Sequence, residues 1–354
     1  MPLIDSGESL VDFELTSEFR DFFSMSDNGQ IFDFTGRNWM IWSFSELERW
    51  WGIFESVLAV PFGRKLFNSC CDEEEFHIHS DEIISSGWFK KSRNKKKLSH
   101  RWNLFGWGLI DIGSRKVTTH LPSSVAAGLA VAGFESFDKI RYKSEWKQIN
   151  QTEILLELNI DINDLPIAKK HSHLPWLGSR TFLANNEVPH ELESRELGWS
   201  IEGESMVILP VSIFSRLFYS TLGTNSSLGP EILDSWEILG IEGKYVKPLI
   251  FASYSTYQLF INSDKHVFAE SVESWISVIS HYCGQWGWGD ANDLAVGLDS
   301  SSIKINCKQN EMLPFFIGHV MGIWERSNGR KPRVSLLFTE DDVEISIESL
   351  LKYI

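Results

Sequence analysis

LFGWGLID, at residues 104–111, contains a Gly-Trp-Gly tripeptide that returns 181 positions later in QWGWGDAN, at residues 285–292. Two further matches follow in the same order along the chain. FSELERWWGIF (44–54) is similar to VSIFSRLFYST (211–221), an offset of 167, and GLAVAGFE (128–135) is similar to GHVMGIWE (318–325), an offset of 190. The offsets grow steadily, as they do when one ancestral unit is copied and the second copy gains residues in loops. The sequence therefore predicts an internal duplication.

The duplication divides the chain into two units. We assign residues 1–165 to a first α+β repeat with a short N-terminal extension, 166–190 to a linker, and 191–354 to a second α+β repeat. The linker contains three prolines and shows no hydrophobic periodicity, which is typical of connecting segments.

Each unit has a similar series of helix and strand patterns. In the second unit, residues 266–283 are predicted as an amphipathic helix, a helix is expected from Gly229 to near Gly240, and RVSLLF (333–338) and VEISI (343–347) read as strands. The helical face is formed by Phe268, Val272, Trp275, Ile279 and Tyr282. The predicted fold class is α+β, with two tandem repeats that each have an antiparallel sheet and helices packed on one face, forming an intramolecular pseudo-dimer.

Composition narrows the class of protein. The chain has 354 residues, 33 Lys and Arg against 48 Asp and Glu, and a formal net charge of −15. A hydrophobic content of 43% indicates a folded chain, and the acidic balance makes nucleic acid an unlikely main partner. We expect a cytoplasmic protein without a membrane span, because the N-terminal residues are acidic, four cysteines form no CxxC motif, and no apolar run reaches about 18 residues.

A family resemblance enters through the second unit. GWGDANDLAVGLDSSSIKINCKQNEMLPFFIGHVMGIWERSNGRKPRVSLLFTEDDVEISI, at residues 287–347, places two strands, a helix with spaced glycines and two closing strands after the Gly-Trp-Gly turn. This arrangement resembles the 4-vinyl reductase-type domain, mainly over residues 286–347, and through it the related fold of TRAPP-type vesicle-tethering subunits. The resemblance implies binding of a small hydrophobic or tetrapyrrole-like ligand. Many family members carry a cysteine pair around the last two strands, and LLFTEDDVEISI (336–347) has none, so no metal or cysteine chemistry is carried over.

The strongest candidate ligand site surrounds two glycines of the second unit. Gly318 and Gly322 lie four residues apart on one helix face, where missing side chains leave room for a ligand or for a neighbouring backbone. The predicted ligand-binding residues are Trp288, Phe315, Gly318, His319, Gly322 and Trp324, with Trp107 and Gly128 as their counterparts in the first unit. The alternative is that the glycines serve tight packing and the aromatic residues anchor the core.

A weaker candidate is a metal site in CCDEEEFHIHSDE (70–82). If this stretch is extended, His77 and His79 point to one side, and His171 and His173 repeat their spacing. The alternative function that follows is an enzyme, either a reductase or a metal-dependent hydrolase. The alternative structure is a solvated acidic loop. The sequence contains no established catalytic motif and identifies no cofactor.

KKSRNKKK, running from Lys90 to Lys97, places six basic residues within eight positions of an acidic chain. We expect an exposed loop that balances nearby acids or contacts an acidic partner. A nucleic-acid-associated factor is a further alternative function. The function we favour from the sequence is a non-enzymatic module that binds a small molecule or serves as an assembly scaffold with a protein partner.

Overall fold

The computed structural model describes residues 11–85, 90–165, 167–178, 184–291, 293–297 and 301–351. These residues form an α+β fold with ten α-helices and three sheets, in which every strand pair but one is antiparallel. The predicted α+β class is confirmed. Residues 292 and 298–300, which belong to the stretch that carries the family resemblance, lie outside the described part.

The central sheet takes strands from both predicted units. Its seven strands are β1 (Phe23–Ser26), β2 (Ile31–Asp33), β3 (Asn38–Ser43), β8 (Ala184–Glu187), β9 (Glu193–Arg195), β10 (Gly198–Ile201) and β11 (Glu204–Pro210). Their order is β8-β1-β2-β3-β11-β10-β9. The two middle strands, β3 and β11, pair with Ile41 opposite Ile208. Strand β3 is buried from Trp39 to Ser43, which explains why its sequence is continuously apolar rather than alternating.

Two smaller sheets flank the central one. The four-stranded sheet has the order β4-β5-β7-β6 and consists of β4 (Leu109–Asp111), β5 (Lys116–Thr118), β6 (Tyr142–Gln148) and β7 (Glu153–Ile160). The five-stranded sheet has the order β12-β15-β16-β14-β13 and consists of β12 (Trp236–Leu239), β13 (Asp293–Val296), β14 (Ser302–Lys308), β15 (Pro332–Phe338) and β16 (Asp342–Ser349). Strand β12 pairs with β15 in parallel.

The helices pack mainly in pairs. They are α1 (Phe13–Phe22), α2 (Phe44–Leu58), α3 (Gly63–Ser80), α4 (Lys91–Leu104), α5 (Ser123–Asp138), α6 (Ser212–Ser220), α7 (Pro230–Leu233), α8 (Gly243–Ile261), α9 (Val272–Tyr282) and α10 (Leu313–Asn328). Helix α3 packs on α5, and α8 packs on α10. In turn, α5 contacts the four-stranded sheet and α10 contacts the five-stranded sheet. No helix in the described ranges has the length and apolar character that a bilayer crossing requires.

The predicted loop at residues 90–97 is wrong, because this run lies in α4 and the residue before it. Asn94, Leu98 and Trp102 are spaced by four and are buried on one face of that helix. This narrow buried face is sufficient to hold a helix whose other side is highly charged.

Two predicted helix boundaries in the second unit also differ from the structure. The helix expected between Gly229 and Gly240 is the single turn α7 followed by β12, because residues 236–239 pair with β15. The helix predicted from residue 266 begins at Val272, where the Oγ of Ser271 accepts a hydrogen bond from the amide of Ser274 (3.2 Å). Phe268 precedes that cap and is 75% exposed.

The segment assigned as a linker is attached to the rest of the molecule at several points. Strand β8 adds to the edge of the central sheet beside β1, while Leu174 and Trp176 are fully buried. The backbone at Gly178 approaches Gln309 so closely that a Cβ there would lie 2.3 Å from the Gln309 carbonyl oxygen. Residue 166 and residues 179–183 lie outside the described part.

Candidate functional site

The glycines of the predicted ligand site face neighbouring helices at close range. A Cβ on Gly318 would lie 2.3 Å from the carbonyl oxygen of Ser253, and one on Gly322 would lie 2.7 Å from the ring of Phe260. Both neighbours belong to α8. Gly128 of α5 has the same relationship to α3, where a Cβ would lie 2.4 Å from the carbonyl oxygen of Phe67. At all three glycines, the space that a side chain would need is therefore filled by a neighbouring helix.

The aromatic residues of that predicted site lie together in the core. Trp288 meets Phe315 edge-on, with ring centroids 5.3 Å apart, and the centroid of His319 lies 4.8 Å from that of Trp288. Burial lowers the pKa of His319 to about 4, and its Nδ1 lies 3.1 Å from the carbonyl oxygen of Phe315. Trp324 is also fully buried. His319 is therefore uncharged at neutral pH and packs as a core side chain.

The two tryptophans of the Gly-Trp-Gly turns make reciprocal hydrogen bonds to the central sheet. Trp107 Nε1 donates to the carbonyl oxygen of Ile208 at 2.9 Å, and Trp288 Nε1 donates to that of Ile41 at 3.0 Å. The acceptors are the residues that face each other across β3 and β11. Each turn thus binds the strand contributed by the other half of the chain.

Glycine is required at these turns for two reasons. Gly106 and Gly287 have φ values of +74° and +84°, a backbone conformation that other residues seldom adopt. A Cβ on Gly106 would lie 2.9 Å from the carbonyl oxygen of Met206, and one on Gly287 would lie 2.8 Å from that of Trp39. The close approach of each turn to a central strand therefore explains why both tripeptides begin with glycine.

The histidine pair proposed for metal binding is not brought together. His77 and His79 lie in α3 rather than in an extended segment, so their side chains point in different directions, His77 into the core and His79 to solvent. His171 pairs with Glu311 at 3.1 Å, and His173 is exposed. Burial opposes protonation of His171, but the hydrogen bond and charge of Glu311 raise its pKa.

An ionic network on α3 was not foreseen from the sequence. Glu73, Glu74 and Glu75 are all buried. Glu73 accepts hydrogen bonds from Ser212 Oγ (2.7 Å) and Arg216 Nε (2.6 Å), and it lies 3.1 Å from His77 Nε2. Although burial opposes its ionisation, these contacts hold the pKa of Glu73 at about 2. Because Ser212 and Arg216 belong to α6, Glu73 connects the two halves of the chain.

Helix α8, which packs on α10 as α3 packs on α5, has no such network among the described residues. The close contacts of Gly128 and Gly318 align Phe67 with Ser253, which places Glu73, Glu74 and Glu75 at the positions of Leu259, Phe260 and Ile261. The two helices therefore use opposite chemistry at matching positions. Extending the predicted alignment of the two units through α3 and α8 is the signal by which these glutamates could have been identified as buried.

Glu75 lies beside a second buried carboxyl. Arg141 Nη1 donates to Glu75 Oε1 (2.9 Å) and to Glu135 Oε2 (2.8 Å). Burial and the neighbouring Glu135 raise the pKa of Glu75 to about 8, so the pair retains a proton at neutral pH. Cys71, Glu75 and Glu135 form the one cluster of three close metal-type ligands in the described residues. The Arg141 guanidinium supplies the positive charge that a metal ion would otherwise provide at this cluster.

A cavity of about 380 Å³ opens above Glu73, where both halves and the linker segment meet. Its polar lining combines cationic and acidic groups: Arg37, Lys170, His171, His173, Glu73 and Glu311. Arg37 already forms a two-point ion pair with Asp81, at 2.6 and 2.8 Å. Most charges of this cavity are thus neutralised within the protein.

Two surfaces of opposite charge lie at different places on the molecule. The basic face consists of exposed residues on and beside the N-terminal half of α4: Lys90, Lys91, Arg93, Lys95, Lys96 and Lys97. The acidic cleft, of about 870 Å³, lies between the β1–β2 turn and the five-stranded sheet, and its carboxylates are Asp27, Asp290, Asp293, Asp342 and Glu344. Lys308 lies in the same cleft and pairs with Asp342.

Comparisons with known proteins found no match to this chain among family models, curated proteins or solved structures. The resemblance to the 4-vinyl reductase-type domain stays a prediction that rests on residues 286–347.

Proposed function

We propose that this chain is a non-enzymatic assembly scaffold, built as an internally duplicated pair of α+β units that form an intramolecular pseudo-dimer. The observation that carries the proposal is the reciprocal pair of hydrogen bonds, from Trp107 to Ile208 and from Trp288 to Ile41. Each unit supplies a tryptophan donor and receives one on its own central strand. Such an exchange is the arrangement of an isologous dimer interface, here within one chain.

Helix contacts between the halves support the same view. Helix α2 of the first half packs on α8 of the second, with Trp50 Nε1 donating to Thr256 Oγ1 at 3.0 Å. Helix α6 of the second half packs on α3 of the first, through Arg216 and Glu73. The two halves thus share one core, and a rigid double unit is well suited to present its outer surfaces to partners.

The packing of the glycine faces favours the scaffold over the small-molecule alternative. Room beside Gly318 and Gly322 is filled by α8, and the aromatic residues nearby contact one another. The hydrolase or reductase alternative has less support, because His77 and His79 diverge on α3. A hydrophobic ligand remains testable by native mass spectrometry of the intact chain. A stoichiometric added mass would contradict the scaffold proposal, and the mass of the chain alone is expected.

A split-chain experiment tests the paired architecture. We expect fragments 1–178 and 184–354 to aggregate or self-associate when made separately, because each exposes a central strand and an apolar surface. When they are co-expressed, the two fragments should form a stable one-to-one complex, because the two halves share one core. Two fragments that are each monomeric and cooperatively folded would overturn the proposal.

A further inference from the structure

Helices α4 and α9 share a buried face and differ in chemistry at their remaining positions. At an offset of 181 residues, the buried Leu98 and Trp102 of α4 correspond to Ile279 in α9 and to Cys283 directly after it, which are equally buried. The charged positions of α4 have no charged counterparts in α9. Lys91, Arg93, Lys95, Lys96 and Lys97 are matched by Val272, Ser274, Ile276, Ser277 and Val278. Val272, Ile276 and Val278 are half-buried and pack against the core, whereas the cations of α4 are exposed and serve no such packing.

Several cations of the basic face are free of internal partners. Lys95 pairs with Asp111 at 3.2 Å, and Lys97 Nζ donates to the carbonyl oxygen of Ile83 at 3.0 Å. Within the described ranges, the side chains of Lys91, Arg93 and Lys96 make no ion pair or hydrogen bond, and all three are exposed. Three cations in the first two turns of α4 are therefore available to an external anionic surface.

The acidic cleft offers a matching number of carboxylates. Lys308 pairs with Asp342, and Lys304 pairs with Glu344 at 2.7 Å. Asp27, Asp290 and Asp293 have no cationic partner in the part of the chain that the structure describes. Phe316 and the half-exposed Leu337 give the cleft an apolar part, against which the stems of lysine side chains can pack.

We propose that the basic face of α4 docks in the acidic cleft of a second copy of this chain. The proposal goes beyond the scaffold function by naming its partner, and it rests on that function. The basic face belongs to the first half, and most of the cleft belongs to the second. A contact between two different surfaces leaves one of each free at the ends, so association continues head to tail.

A second copy fits the basic face better than a nucleic acid does. The chain carries a net charge of −15 and repels a polyanion over its remaining surface. Trp102, the aromatic residue of α4, is buried and cannot stack on a base. The acidic cleft, in contrast, provides a local anionic surface with five carboxylates in its lining.

Sedimentation velocity of the intact chain tests the proposal. At about 50 mM salt we expect the mean mass to rise with concentration past the dimer, and at about 500 mM salt we expect monomer, because charged surface contacts are screened. The variant Lys91→Ser/Arg93→Ser/Lys96→Ser should associate about tenfold more weakly. The matched control Lys143→Ser/Lys147→Ser/Lys331→Ser removes three exposed cations elsewhere and should associate like the wild type.

Mixing two defective variants gives the sharpest result. The α4 variant retains an intact cleft, and Asp27→Asn/Asp293→Asn retains an intact basic face. We expect each variant alone to associate about tenfold more weakly than the wild type, and the mixture to form a one-to-one dimer with the wild-type affinity and to stop there, because only one unimpaired contact remains. The control for the cleft is Glu145→Gln/Glu157→Gln, at two exposed acids of the four-stranded sheet.

Three results would overturn the proposal. They are a monomer at every concentration in low salt, equal weakening by the α4 variant and its control, and loss of duplex DNA retention by the α4 variant with unchanged self-association. None of them affects the complementation of fragments 1–178 and 184–354, so a failure here is distinct from a failure of the scaffold proposal.

Discussion

Arg101 and Glu74 form a two-point ion pair in the core, with Nε 2.8 Å from Oε1 and Nη2 2.8 Å from Oε2. Both side chains are buried, and Arg101 Nη2 also lies 3.3 Å from His77 Nδ1. The pair connects α4 to α3. Through this ion pair, α4, which carries the basic face on its exposed side, contacts the buried ionic network of α3.

Removing the arginine should leave a buried carboxylate without its partner. We expect Arg101→Met to lower the free energy of unfolding by about 3–5 kcal/mol, measured by urea denaturation. Lys96→Met, on the exposed side of the same helix, should change it by no more than about 0.5 kcal/mol. Equal effects of the two substitutions would contradict the structural role given to Arg101.

The carboxyl pair predicts a pH dependence of stability. The folded pKa of Glu75, at about 8, is above the ordinary glutamate value of 4.5, so the proton is held more tightly in the folded state. Its contribution is complete below about pH 4.5 and is lost as the pH rises through 8, with a limiting slope of about 1.4 kcal/mol per pH unit. Between pH 5 and pH 8 the urea-derived stability of the wild type should therefore fall relative to that of Glu75→Gln, whereas Glu145→Gln should follow the wild type. The comparison is made as a difference because His319, whose pKa burial lowers to about 4, contributes stability that rises with pH up to about 6.5. A difference between wild type and Glu75→Gln that does not change with pH would contradict the assignment.

Two helical glycines provide a direct test of the packing at the predicted ligand site. Gly318→Ala should lower the free energy of unfolding by about 1–3 kcal/mol, because the new methyl group would meet the Ser253 backbone. Gly133→Ala, in α5, meets no atom closer than 3.7 Å and should stabilise the protein by up to about 1 kcal/mol through helix propensity. Thermal or urea denaturation measures both. A neutral Gly318→Ala would show that α8 and α10 can separate and would favour a ligand pocket.

The reciprocal tryptophans should behave alike. Trp107→Phe and Trp288→Phe each leave a buried carbonyl without its donor, and each should cost about 1–3 kcal/mol more than Trp324→Phe. Trp324 is the control because it is fully buried and its Nε1 has no hydrogen-bond partner among the described residues. A cost confined to one of the two turns would contradict their equivalence.

Elements with one clear periodicity were predicted well from the sequence. In the first unit, the sequence also predicts helices from Ser43 and from Ser123; α2 begins after Ser43, whose Oγ caps the amide of Glu46, and α5 begins at Ser123. The alternating strands β15 and β16 were also correct. These segments were predicted correctly because the spacing of apolar residues in the sequence matches the spacing of buried residues in the structure.

Other features depend on contacts that no local pattern contains. Glu73 and Glu74 resemble surface residues in sequence, and only Arg216 and Arg101, distant along the chain, explain their burial. Basic residues concealed the helical spacing of α4. The glycines of α10 were recognised as unusual, but their neighbour is α8, a helix that the sequence reading did not identify.

The pairing of β3 with β11 has a consequence for the synthesis of this protein. When β3 leaves the ribosome, its partner strand lies about 160 residues further along the chain. At a translation rate of about 5–20 residues per second, that strand emerges roughly 8–30 seconds later. Throughout this interval the apolar WMIW segment has an unpaired edge, so the nascent first half is exposed to aggregation and is a natural client for a chaperone. Folding of the central sheet is therefore delayed until β11, which ends at Pro210, has been made.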